Sequence, residues 1–162
     1  MVKFRVVVVE DYEPFRRFVC STLRQRPELQ IVGEASDGLE AVVKVRELQP
    51  DLVLMDVGLP ALSGIEAARR IREIFPTSRI VFVSQESAAE VLQEAFRLGA
   101  LGYVSKMHTG IDLLAAVDAA CQGRHFISEC LSGLVTPELA GKKPAFRFSE
   151  DEVFSETPDA AD

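Results

Sequence analysis

The chain has 162 residues, 48% hydrophobic and 27% charged, the composition of a soluble globular protein with one domain and at most a short extra piece. Its 25 acidic and 18 basic residues give a formal net charge of −7, so no basic face is dense enough to neutralise many phosphates and direct nucleic-acid binding is not expected. The N-terminal apolar run, Val6 to Val9, is far short of the roughly 18 residues a membrane helix needs and lacks a signal-peptide pattern, so a cytoplasmic protein without membrane attachment is expected.

In chain order, apolar runs at residues 3–9, 29–33, 51–56, 79–83 and 101–105 alternate with segments of helical period. Such alternation predicts a parallel sheet with helices on both faces. The first helical segment sets Phe15, Phe18, Val19, Thr22 and Leu23 in one stripe, with Pro14 in its first turn, where a missing N–H is harmless. Further helices are predicted at about 38–48 and 63–75. A fourth carries Ala88, Val91, Leu92 and Ala95 and stops at Gly99, and a fifth covers 110–122 with Gly123 as its stop. Five βα units then end near residue 125, giving one α/β domain over 1–125. Residues 126–162 form a C-terminal extension: Phe126 to Leu139 as a short apolar turn or helix, then a mostly mobile tail. That tail, 141–162, holds six acidic and three basic residues, with Phe146, Phe148, Val153 and Phe154 available to dock. Cys20, Cys121 and Cys130 show no metal-site spacing and are expected as reduced, buried thiols. His108 and His125 give a His-based metal site or triad nothing to build on.

Ligands of a doubly wound sheet bind outside the carboxyl ends of its strands. Glu10 and Asp11 follow the first run, Asp56 ends the third, Ser84 follows the fourth and Lys106 the fifth. Three converging carboxylates repel one another, by about 4 kcal/mol per pair at 4 Å and an effective dielectric near 20. A divalent cation removes that cost, and all-oxygen ligation favours Mg²⁺, with Mn²⁺ as a substitute. A carboxylate beside Mg²⁺ can attack phosphorus if donors match the charge on the transferring group, and Lys106 and Ser84 supply an amine and a hydroxyl. Each residue also has a plainer reading: Asp11 as a helix cap, Ser84 as the cap of the fourth helix, Lys106 as a solvated side chain. Asp56 is harder to explain that way, because Gly58, Pro60, Ser63 and Gly64 already provide the turn and cap chemistry behind it.

The pieces Val9-Glu10-Asp11, Asp37-Gly38, Met55-Asp56-Val57-Gly58-Leu59-Pro60, Ser63-Gly64, Val83-Ser84 and Gly102-Tyr103-Val104-Ser105-Lys106 carry a family resemblance. In this order and spacing the chain resembles, over roughly residues 3–125, the CheY-like receiver domain of two-component response regulators. The resemblance implies a flavodoxin-like (βα)5 fold with strand order 2-1-3-4-5. It implies phospho-acceptance by Asp56 from a sensor histidine kinase, a phosphotransfer protein or a small phosphodonor. It implies Mg²⁺ ligation by Asp11, Asp56 and the Gly58 carbonyl, with Glu10 acting through water, and phosphoryl contacts from Ser84 and Lys106. Movement of Ser84 and inward rotation of Tyr103 would switch the face made by helix four, strand five and helix five for an unknown downstream protein or a homodimer. A half-buried edge aromatic is the plainer account of Tyr103. On that face Val91, Leu92, Ala95, Leu114 and Val117 are expected to point to the core, and Glu90, Glu94, Arg97 and Asp112 are candidate contacts.

Three positions depart from the pattern. Glu10 replaces the commoner Asp, Met107 stands where Pro often follows the Lys and leaves the usual cis peptide open, and Gln85 is longer than the usual small residue and is positioned to shield the phosphoryl group. The style of the third helical segment is that of receivers that precede a LuxR-type DNA-binding domain, yet only an acidic tail follows here. A stand-alone receiver or a fragment of a longer regulator is expected, with no enzymatic turnover beyond its own phosphorylation and slow dephosphorylation. Two alternatives remain: a receiver-like binding module that signals without phosphorylation, and a haloacid-dehalogenase-type phosphatase. The phosphatase wants a second carboxylate two residues after the nucleophile, where Gly58 stands.

Overall fold

The structure, a computed structural model, describes residues 3–136, so the readings made for 137–162 lie outside it. Its elements run β1 (Phe4–Val9), α1 (Glu13–Leu23), β2 (Leu29–Ala35), α2 (Gly38–Leu48), β3 (Leu52–Met55), α3 (Gly64–Ile74), β4 (Arg79–Ser84), α4 (Ala89–Arg97), β5 (Gly102–Ser105), α5 (Thr109–Cys121) and β6 (Phe126–Ile127). They build one parallel sheet in the order β2-β1-β3-β4-β5-β6. The first five strands stand in the predicted 2-1-3-4-5 order of a flavodoxin-like fold.

Central strands of such a sheet are covered on both faces, which is why β1, β3 and β4 read as unbroken apolar runs. The pleat then divides each run. Val7, Val9, Val53, Met55, Ile80 and Phe82 face one core with Ala41, Ala67, Ile71 and Leu92 from α2, α3 and α4. Val6, Val8, Leu52, Leu54, Val81 and Val83 face the other with Val19, Leu23, Leu113 and Val117 from α1 and α5. The α1 stripe is narrower than predicted: Val19, Cys20 and Leu23 are buried, while Phe18 is 44% exposed and lies beside Phe15 at a ring separation of 5.9 Å.

Caps set the helix starts. The Asp37 side chain accepts from Glu40 N–H at 2.7 Å and the Ser63 hydroxyl from Glu66 N–H at 3.2 Å, each satisfying an orphan donor. Gly99 and Gly123 end their helices at φ of +99° and +74°, a region glycine enters without strain. Neither Asp11 nor Ser84 caps a helix: Tyr12 and Ala88 occupy those positions.

The sheet continues past residue 125, where the sequence reading ended its βα units. Phe126 N–H donates to Leu101 O at 2.9 Å and Ser128 N–H to Tyr103 O at 3.0 Å, so β6 adds to the free edge of β5. A 3-10 helix, Glu129–Leu134, follows within the stretch expected as a short apolar turn or helix and puts Leu131 and Val135 into the core that holds Tyr103. The Gln93 amide donates to Leu134 O at 3.2 Å, fastening this segment to α4. The α4–β5–α5 face therefore already carries residues 126–135 of the same chain. Val91 and Leu114 are only partly buried, each against the core on its own side of the sheet, and Asp112 is engaged within the fold, accepting from the Ser128 hydroxyl at 2.7 Å. Among the described residues, no helix is long and apolar enough to cross a membrane.

Candidate functional site

Because all the strands are parallel, β1, β3, β4 and β5 deliver Glu10 and Asp11, Asp56, Ser84, and Ser105 with Lys106 to the same end of the sheet. Lys106 is the hub. Its amine lies 2.8 Å from Glu10 Oε1 and 3.1 Å from Asp56 Oδ2, and 4.7 Å from the centre of the Phe15 ring, a cation–π distance. Glu10 and Asp56 are nearly inaccessible, at 3% and 6% exposure, and Asp11 sits at the open rim. The free Glu10 oxygen accepts from Tyr12 N–H at 3.0 Å, and Asp56 Oδ1 from Gly58 N–H at 3.3 Å.

Burial pushes the Glu10 carboxyl above its ordinary range, and the negative charge of Asp56 adds to the rise against the opposing bonds from Lys106 and Tyr12. Burial alone would lower the Lys106 amine, but its bonds to Glu10 and Asp56 outweigh that and hold it above the usual lysine value. The amine performs here the neutralisation that two buried carboxylates require.

Carboxylate oxygens of Glu10, Asp11 and Asp56 lie within 4.8 Å of one another. That limit is close to the ~4.2 Å across an octahedron of Mg²⁺ with bonds of about 2.1 Å, and the donor set is all oxygen without sulfur or imidazole. The residues fit a small hard cation. The Gly58 amide faces Asp56, and the residue is exposed with open space where a Cβ would stand.

Ser84, at the end of β4, is buried, and its hydroxyl accepts from Glu86 N–H at 3.1 Å. Gln85 beside it is exposed. Tyr103 is fully buried, its ring 5.9 Å from Phe82 and its hydroxyl donating to Glu86 O at 2.8 Å. Desolvation pushes its phenol well above the ordinary tyrosine value. It is not a half-buried edge aromatic, because β6 removes the edge. The Lys106–Met107 peptide is trans, as are all peptides among the described residues, and Met107 is 85% exposed at the mouth.

The model of the response regulator receiver domain matches residues 6–118. The chain belongs to the response regulator receiver family. This receiver is 33% identical over 154 residues to the nitrate/nitrite response regulator NarL of Escherichia coli, covering 94% of this chain and 69% of that protein. It is 41% identical over 111 residues to a protein-glutamate methylesterase/protein-glutamine glutaminase of Thermotoga maritima, covering 67% of this chain but only 32% of that enzyme. Among solved structures, a LuxR-family two-component response regulator from Aurantimonas superposes with a TM-score of 0.77 at 34% identity, covering 81% of this chain and 94% of that one. The receiver thus spans about a third of the Thermotoga enzyme's length, and the match lies in the receiver region. Receiver domains take part in phospho-accepting signal transduction, and acidic pockets that bind Mg²⁺ are typical of them.

Several contributors escaped the sequence reading. Phe15 looked like one member of a core stripe, yet its ring packs on the Lys106 amine. Glu86 holds Tyr103 through its backbone carbonyl, for which side-chain identity carries no signal. The Ser128 hydroxyl accepts from Ser105 N–H at 2.9 Å, tying the last residue of β5 to the segment beyond α5. Only the polar Ser128 just past an apolar pair hinted at it.

Proposed function

We propose that this receiver accepts a phosphoryl group on Asp56 from a sensor histidine kinase, a phosphotransfer protein or a small phosphodonor. One observation carries the reading: the Lys106 amine bridges the buried Asp56 and Glu10 carboxylates at 3.1 and 2.8 Å, with Asp11 at the open rim. An Asp56 oxygen forms the new O–P bond as the N–P bond of a phosphoimidazole breaks, and the electron pair leaves with the imidazole. Lys106 exchanges a carboxylate partner for a phosphoryl oxygen, and Ser84 donates to another. Mg²⁺, or Mn²⁺ in its place, supplies charge neutralisation when held by Asp11, Asp56, the Gly58 carbonyl and, through water, Glu10.

Residues 3–136 act as the receiver unit, since β6 and the 3-10 helix complete its sheet and core. Its working location is the cytoplasm, and turnover is limited to its own acyl phosphate. Ser84 and Tyr103 transmit the change through the α4–β5–α5 face, so a downstream protein or a second copy binding there meets residues 126–135 as part of the surface. A second reading, signalling without phosphorylation, draws on one observation: Ile127, Leu131 and Val135 pack in the same core as Tyr103, so the chain itself holds that ring inward.

Intact mass after incubation with acetyl phosphate decides between them. A single adduct that needs Mg²⁺, vanishes in EDTA and is absent from Asp56→Ala supports phospho-acceptance. A folded wild type that gains no adduct sinks it and leaves the second reading.

A further inference from the structure

At the opposite end of the sheet from Asp56 lies a cavity of about 480 Å³, within the size range of small-molecule sites. The α3–β4 turn, the end of α4, and the turns before β5 and β6 form its walls, and it opens to solvent. Among the described residues Arg72, Arg79 and Arg97 line it and no acidic residue does, although the chain carries a net charge of −7. Among the described residues Arg72 and Arg79 have no carboxylate within ion-pair distance, and Arg97 reaches only Glu94, at 3.4 Å, which also serves Arg69.

The Arg72 guanidinium is held in place. It donates to Pro76 O at 2.7 Å and Ser78 O at 3.1 Å, and it lies so close over Gly99 that a Cβ there would stand 3.1 Å from Nη2. A planar cation fixed in this way is the donor that phosphate recognition uses. Ser78, 1% exposed, also lines the cavity, and among the described residues its hydroxyl has no hydrogen-bond partner. A buried hydroxyl without a partner is a net cost to the fold, which a bound acceptor would remove. Phe96 and Leu101 add apolar wall for an organic body.

We propose that this cavity binds a small organic phosphate, its anionic group seated between Arg72 and the Ser78 hydroxyl with Arg97 closing over it. The bound molecule would bridge α3, α4 and the turn leading to β6. The proposal is independent of phosphorylation at Asp56.

Amide-resolved NMR titrations of the full chain with inorganic phosphate, AMP and glucose 6-phosphate test it. Saturable shifts are expected at Ser78, Gly99 and His125, with at least one organic phosphate binding tighter than inorganic phosphate; which one separates a nucleotide from a sugar phosphate. Ser78→Ala removes an unpartnered buried hydroxyl and Arg97 is a surface residue, so S78A should melt no lower than the wild type and R97Q close to it, while each weakens binding at least fivefold. Non-saturating shifts, shifts gathered instead at Ser84 and Lys106, no preference for an organic phosphate, or wild-type affinity in both variants would overturn the proposal.

Discussion

Lys106 serves two buried carboxylates at once, so its removal leaves both uncompensated. Lys106→Met is expected to cost about 1–3 kcal/mol in urea unfolding with EDTA, less than a fully buried pair would because the lysine side chain is 18% exposed. Part of that loss should return with Mg²⁺, and a loss indifferent to Mg²⁺ would argue against a cation among these carboxylates. Tyr103 makes a different demand. Tyr103→Phe deletes the bond to Glu86 O and should cost about 0.5–1.5 kcal/mol, whereas Tyr103→Ala opens a cavity in a full core and should cost about 3–5 kcal/mol. The cysteines were expected to be buried alike, but Cys130 is exposed, with its sulfur 3.5 Å from His108 Nδ1. Burial pushes the Cys121 thiol up to about 11. At pH 8 iodoacetamide should therefore mark Cys130 first and leave Cys20 and Cys121 untouched in the folded chain. The same shift has a stability sign. The native state keeps a proton that the unfolded thiol releases above pH 9, so the Cys121 contribution to stability falls as pH rises from about 9 to 11.

At the scale of an element, the start of α3 ties the helix to the end of β3. Gly64 lies so close to the backbone of Asp56 and Val57 that an added Cβ would collide with the Asp56 carbonyl oxygen. Gly64→Ala should lower the melting temperature and also slow adduct formation at Asp56, because relief of the clash displaces the β3–α3 connection; unaltered phosphorylation in a destabilised variant would separate the two effects. The elements themselves were legible. Buried parallel strands write themselves as apolar runs, and Pro14, Gly99 and Gly123 mark helix ends through fixed backbone chemistry. Placement of Glu10, Asp56, Ser84 and Lys106 at strand ends followed from those runs. Their mutual bonds did not, because a lysine that reaches two carboxylates depends on side-chain paths that no spacing encodes. The plainer cap readings of Asp11 and Ser84 are not what the structure shows. Tyr12 and Ala88 serve as N-caps without side-chain bonds, Asp11 lies exposed one residue earlier, and the Ser84 hydroxyl accepts from Glu86 N–H instead.

For the whole molecule, the sixth strand changes what counts as the edge. Two residues, Phe126 and Ile127, are too few for any period to reveal, yet they cover β5 and let Leu131 and Val135 close the core over Tyr103. A chain ended at residue 125 should expose the row of β5 backbone groups and lose three buried side chains, Ile127, Leu131 and Val135, worth about 1.5–3 kcal/mol each. Lower thermal stability than a chain ended at 136, with concentration-dependent self-association by light scattering, is expected; equal behaviour of the two would mean that the added segment contributes nothing. The position of this closing piece also sets an order of events at the ribosome. Everything it covers is synthesised before it, so a nascent receiver carries an open strand and an uncapped aromatic until residues 126–135 emerge. At about 5–20 residues per second those ten residues take about 0.5–2 s to make, an interval in which a holding chaperone would find its target on β5.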